Sequence, residues 1–199
     1  MKLGEIITNP PRDEYIEQYQ HKFDNAQSLV TIQELTLKKL SSSNSIEYGL
    51  DDSKNNLVGY MLLELYDKDM WEVTLVQLAQ ARKGQGLGTF FYDYAVMNDK
   101  LKLISDATNT GGPHGSRSLW ERLINNNRYK ILGYDTQTNS IIPNATIDMI
   151  YDNKPNTRWL ALPPTETINE SLERIQSLMR NRYVVWYGPG TTTEYYFNF

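Results

Sequence analysis

The chain has 199 residues, 40% of them hydrophobic and 12% aromatic, which excludes a disordered chain and admits one domain with a substantial core. A formal net charge of −4 excludes broad nucleic-acid binding, which needs an extended basic face, and zero cysteines exclude a disulfide framework, a thiolate metal site and a cysteine nucleophile. The opening MKLGEIITNPPRDEY lacks the apolar centre of a secretion signal, and no segment approaches the roughly 20 apolar residues of a membrane helix, so a soluble, cytoplasmic protein with no membrane partner is expected.

After the Pro10–Pro11 break, Tyr15, Ile16, Tyr19 and Phe23 recur at helical spacing and predict an amphipathic helix over 12–25. The next run, LVTIQELTLKKL, fits a strand or a helix. Residues 46–50, 57–66 and 71–78 are rich in Ile, Val, Leu, Tyr and Trp and are separated by DDSKNN and DKDM, the pattern of an antiparallel meander. A helix over 88–98, a short buried strand KLISDA and a helix over Ser116–Asn126 with Leu119, Trp120 and Leu123 on its apolar side follow. Strands are expected at about 129–134, 146–152 and 157–162, the last two joined by the turn DNKPN. The fold class is α+β, a mostly antiparallel mixed sheet with one parallel crossover, flanked by helices. The reading divides the chain into a core domain, 1–162, and an extension, 163–199, with a helix Thr167–Arg180, a strand YVVWY and the tail GPGTTTEYYFNF. So aromatic a tail either packs on the domain's own core or docks on a partner, most simply in a symmetric homodimer.

Between the third meander strand and the next helix lies RKGQGLG. Gly84, Gly86 and Gly88 remove side chains from alternate positions, so backbone N–H groups can approach an anion at the positive end of the following helix, with Arg82 and Lys83 at the rim. No Lys-Ser or Lys-Thr pair follows, so this is not a P-loop, and the glycine spacing departs from the dinucleotide fingerprint. The residues alone admit a phosphate cradle or a flexible basic turn.

Together with its flanking strand and helix, this loop resembles the acyl-CoA pyrophosphate loop of the GCN5-related N-acetyltransferases, the GNAT superfamily, over about residues 45–152. The family pattern is Arg or Gln, two residues, Gly, one residue, then Gly or Ala; KGQGLG is similar, with Lys83 in the first place and Gly86 and Gly88 in the others. The resemblance implies acetyl-CoA or CoA as cosubstrate, its pyrophosphate held by Lys83, Gly84, Gln85, Gly86, Leu87, Gly88 and Thr89. The pantetheine arm would pair with the strand 73–78, ending at Leu78. The segment LISDATNTGGPHGSRSLWERL also resembles GNAT-like proteins of tailed bacteriophages, which implies a phage source, the host cytoplasm and a phage or host protein partner.

In many members of that family a tyrosine, in a pattern resembling LYEKLGF, protonates the departing thiolate; here LWERLIN puts Trp120 in its place, and an indole N–H is no such acid. Replacements are Tyr92 and Tyr94 in the helix after the loop, Tyr129 at the next strand and His114 in GGPHG, while Glu64 and Glu72 border the expected amine site as bases. Each also has a plain structural explanation, as a core tyrosine, an exposed loop histidine or a surface carboxylate. Glu72, His114 and Tyr92 form the candidate catalytic set. Asp106 reads as a turn residue bonded to backbone amides, and Asp67 and Asp69 as either an attraction for an amine or a solvated turn. His21 and His114, with no carboxylate cluster at ligand spacing, predict no metal. Two functions follow: an acyl-CoA-dependent N-acetyltransferase acting on a small-molecule or protein amine, which is preferred, or a catalytically weak or inactive GNAT-like phage protein that serves in binding or in the virion. An antirestriction-like decoy has only the acidity in its favour.

Overall fold

In the computed structural model, which describes residues 16–106, 116–151 and 156–164, the run that fits helix or strand in sequence is a hairpin. Its strands are β1, Gln27–Ile32, and β2, Leu35–Ser41, and Gln33 makes the reversal in the left-handed region at φ 55°. Alternation decides for strand: Leu35 and Leu37 both point into the core. The meander continues antiparallel through β3 (Ser45–Asp51), β4 (Leu57–Asp67) and β5 (Met70–Leu78), close to the expected bounds. Between β3 and β4, Asp52 Oδ1 accepts the N–H groups of Lys54 (2.8 Å) and Asn56 (2.9 Å), closing the turn around Asn55.

Past the glycine loop, α1 (Leu87–Asp93) runs on into a π-helical turn, Tyr94–Asn98, and β6 (Lys102–Ser105) returns parallel to β5, the one parallel pair among the described strands. Then follow α2 (Ser116–Asn126), β7 (Lys130–Asp135), β8 (Ser140–Ile142), α3 (Ile147–Tyr151) and β9 (Thr157–Leu162). The sheet order is β1-β2-β3-β4-β5-β6-β9-β7-β8, a mixed α+β architecture with a mostly antiparallel sheet.

The strand expected over 146–152 is instead α3, and the partner of β7 at the sheet edge is β8. Thr146 explains the difference: its Oγ1 accepts the Met149 N–H at 3.3 Å and its carbonyl accepts the Ile150 N–H at 3.3 Å, an N-terminal cap. Ile147, Ile150 and Tyr151 then share one helical face, with Ile150 buried. β9 accordingly pairs with β7 and β6 rather than closing a hairpin through DNKPN. Of the helix expected over 12–25, Ile16 and Glu17 are helical and Gln20–Phe23 is 3-10. The expected helix Thr167–Arg180, the YVVWY strand and the aromatic tail lie outside the described residues.

Two glycines set how closely each face is covered. Gly59 lets the Phe91 ring of α1 lie on β4, where a Cβ would stand 3.0 Å from it. On the opposite face Gly49 receives Phe23, whose ring would be 2.7 Å from a Cβ. Gly49→Ala therefore forces Phe23 away and is expected to cost about 1–3 kcal/mol, read as a lowered Tm, with Phe23→Leu in the same chain restoring part of the loss.

Candidate functional site

The parallel ladder is short. Met70, Trp71, Glu72 and Val73 of β5 pair with Lys102, Leu103, Ile104 and Ser105, and beyond Val73 no strand of the described residues lies on that side of β5. The two strands therefore part in a fork, β5 running on to Leu78. At the fork Ser105, buried at 1% exposure, is tied sideways: its Oγ accepts the Trp159 N–H at 3.1 Å.

Where β5 ends, Ala79 N–H still bonds Val58 O (2.9 Å), and a 3-10 turn, Gln80–Arg82, leads into the loop. Lys83 is extended, and Gly84 and Gly86 take φ values of 78° and 80°, which any side chain would strain. Gly86 is the N-cap of α1 and, having no side chain, caps nothing. The first i→i−4 bond of the helix is Phe90 N–H to Gly86 O at 3.0 Å, so the preceding amides of Leu87, Gly88 and Thr89 have no acceptor within the helix. The loop itself is uncrowded: a Cβ on Gly84 would meet nothing within 4 Å, and one on Gly88 only Leu78 and Leu119, each at 3.9 Å. Three helix-start amides, the positive end of the helix and an uncluttered approach suit an anionic group. Arg82 is turned away to Glu34, at 3.0 Å, and Gln85 Nε2 donates to Ala81 O at 3.0 Å, bracing the loop.

The helix carrying these amides is anchored at its far end. Asp93 and Arg128 form an ion pair with both side chains under 9% exposed, next to the buried Tyr129, whose phenol is raised well above its usual range by burial and by Asp93. After the π turn, Asp99 accepts Tyr48 Oη at 2.5 Å and Lys39 Nζ at 2.6 Å.

Of the sequence candidates, Leu78 and the 83–89 segment lie together at the fork's open end. Tyr92 is buried on the inner side of α1, its ring edge-on to Trp120 at 5.4 Å and 81°, and burial, aided by Asp106 and Tyr151, holds its phenol far above 10 and neutral. Trp120 is fully enclosed, with no acceptor for its Nε1 among the described residues. Tyr94 is buried as well, pushed up to about 12 by burial and then by Asp99. Glu64 and Glu72 face each other across β4 and β5, Glu64 exposed and Glu72 bound at 2.9 Å by Arg158. Asp69 pairs with Lys102, Asp67 Oδ1 accepts the Lys68 N–H, and Asp106 follows the end of β6. His114 lies outside the described residues, and these contain no group of three or more His, Cys, Asp or Glu able to hold a metal. Nor do they contain a helix long and apolar enough to cross a membrane. Arg158 escaped sequence reasoning because it stands 86 residues from Glu72 and marks no motif.

No protein-family model matches the chain, and no curated protein does. Among solved structures it is similar to a GNAT family acetyltransferase from Elizabethkingia anophelis with acetyl-CoA bound, at 14% identity over 66% of this chain and 99% of that one, TM-score 0.40. It is also similar to an IAA acetyltransferase from Bacillus cereus (19% identity, 60% and 77% covered, TM-score 0.37) and to a dodecameric spermidine N-acetyltransferase from Vibrio cholerae (13%, 67% and 70%, 0.36).

The two ends of α1 predict different sensitivities. Asp93→Ala strands a buried guanidinium and is expected to cost about 3–5 kcal/mol, whereas Arg82→Ala, which breaks a half-exposed pair, should cost less than about 1 kcal/mol; urea denaturation of both variants checks the ranking.

Proposed function

We propose that the chain is an acyl-CoA-dependent N-acyltransferase of the GNAT superfamily, moving an acetyl group from acetyl-CoA to an amine. The observation that carries this is the juxtaposition of a parallel pair that opens after Val73 and Ser105 with a left-handed glycine turn that leads into a helix whose first amides have no acceptor within the helix. An extended arm can add by main-chain bonds to the edge of β5 over 74–78, which no strand of the described residues covers, while its pyrophosphate takes the amides of Leu87, Gly88 and Thr89. The acceptor nitrogen would attack the thioester carbonyl, the C–S bond would break, and the thiolate would leave with a proton from solvent. Trp120 supplies no acid, and Tyr92 is sealed beneath it with a phenol that resists ionisation.

Gly88→Glu tests the cradle with little cost to the fold. The position is helical, a Cβ there meets only ordinary contacts, and an acidic side chain in the first turn suits the helix dipole. Calorimetric titration of CoA is expected to show binding to the native chain and at least tenfold weaker binding to Gly88→Glu, with Tm unchanged or higher. Equal binding by both, or no binding by the native chain at millimolar CoA, contradicts the cradle.

The enclosed Trp120 favours one second reading, a CoA-binding protein that transfers slowly or not at all. With no positioned acid among the described residues, turnover is predicted to be about 10²–10⁴-fold below that of an enzyme that has one. Thiol release from acetyl-CoA with an amine panel should accordingly be slow, and Tyr92→Phe should change it less than about twofold; a larger loss would return the proton to Tyr92.

A further inference from the structure

The fork is clasped by one side chain from β9, the strand on the far side of β6. Arg158 of β9 reaches across β6, its Nη1 donating to Glu72 Oε1 at 2.9 Å and to Ser105 O at 3.4 Å, with its guanidinium carbon 5.3 Å from the centre of the Tyr66 ring. It thus touches β4, β5 and the last residue of β6, at the point where β5 and β6 part. Its side chain is only 12% exposed, so the charge needs its partner. Glu72 in turn stands directly opposite Glu64 on the same face of β4–β5, an arrangement of like charges that is unfavourable by itself.

We propose that Arg158 is a positioning residue that holds the Glu72 carboxylate at the fork, in one orientation, as the group that receives the acceptor amine; this rests on the transferase reading above. An aliphatic amine reaches the site mostly as an ammonium ion and must shed a proton before its nitrogen attacks. Glu72 accepts that proton, directly or through one water. Without Arg158 the carboxylate loses this ion pair and faces the like charge of Glu64. Arginine keeps its own proton, so it is a fixed counter-charge and not an acid. Glu64, exposed, is left to draw the cation in.

The test is a double-mutant cycle on the full chain, with thiol release from acetyl-CoA followed against a primary alkylamine, a lysyl peptide and an amino sugar. CoA affinity is measured alongside by calorimetry and folding by Tm. Arg158→Gln is expected to lower kcat at least tenfold with the CoA Kd unchanged, and Arg158→Lys, which keeps a charge, to recover most of it. In the Glu72→Gln background Arg158→Gln should add less than twofold, because the arginine acts through the carboxylate. Full activity in Arg158→Gln, no recovery by lysine, or the same loss in both backgrounds would overturn the inference while leaving the transferase reading intact. A native chain that binds CoA but acetylates none of the amines would overturn that reading, and the inference with it.

Discussion

Everything at the proposed site depends on where the β5–β6 pairing stops. Four residue pairs, from Met70–Lys102 to Val73–Ser105, hold the strands together, and then β5 continues for five residues toward the loop while β6 ends. A longer ladder would satisfy the β5 edge with protein and leave no place for an extended ligand. Ser105 marks the stop: it is the last β6 residue paired with β5, its hydroxyl takes the Trp159 N–H of β9, and its carbonyl accepts from Arg158.

The second requirement is that α1 point its first turn at the open end of the fork. Gly59 fixes its distance from the sheet by admitting Phe91, and the Asp93–Arg128 pair fixes its far end against β7. The π turn that follows changes the helix pitch just before β6, and its C-terminal Asp99 is gathered by Tyr48 and Lys39 on β3 and β2. Burial and the adjoining Asp99 raise the Tyr48 phenol far above its usual range, so this hydroxyl stays a donor over all ordinary pH. The anchors are interior and the loop glycines are bare. A rigid helix with an undecorated start is a suitable form for binding an anion through backbone alone.

Local patterning made much of this legible. The three meander strands and α2 follow from apolar alternation and spacing, and α2 has the expected bounds, Ser116–Asn126. RKGQGLG announced a turn, and the structure shows why: Gly84 and Gly86 occupy φ values that other residues reach with strain. What was illegible depends on single side chains or on distant pairs. Thr146 turns an Ile-rich run, readable as a strand, into a capped helix, and Gln33 reverses the β1–β2 hairpin without glycine or proline to mark it. Glu72 was visible as a carboxylate on a strand, but its partner Arg158 comes from β9, across the sheet and far along the chain, which no local period encodes.

On the proposed function, residues 74–78 of β5, which pair with no strand of the described residues on that side, and the first amides of α1 form one binding surface. Hydrogen exchange of the native chain, with and without saturating CoA, measures it residue by residue. Slowed exchange is expected to be confined to residues 74–78 and to Leu87, Gly88 and Thr89, with the β2–β3 amides unchanged. Protection elsewhere, or none in either segment when CoA is bound, would contradict it.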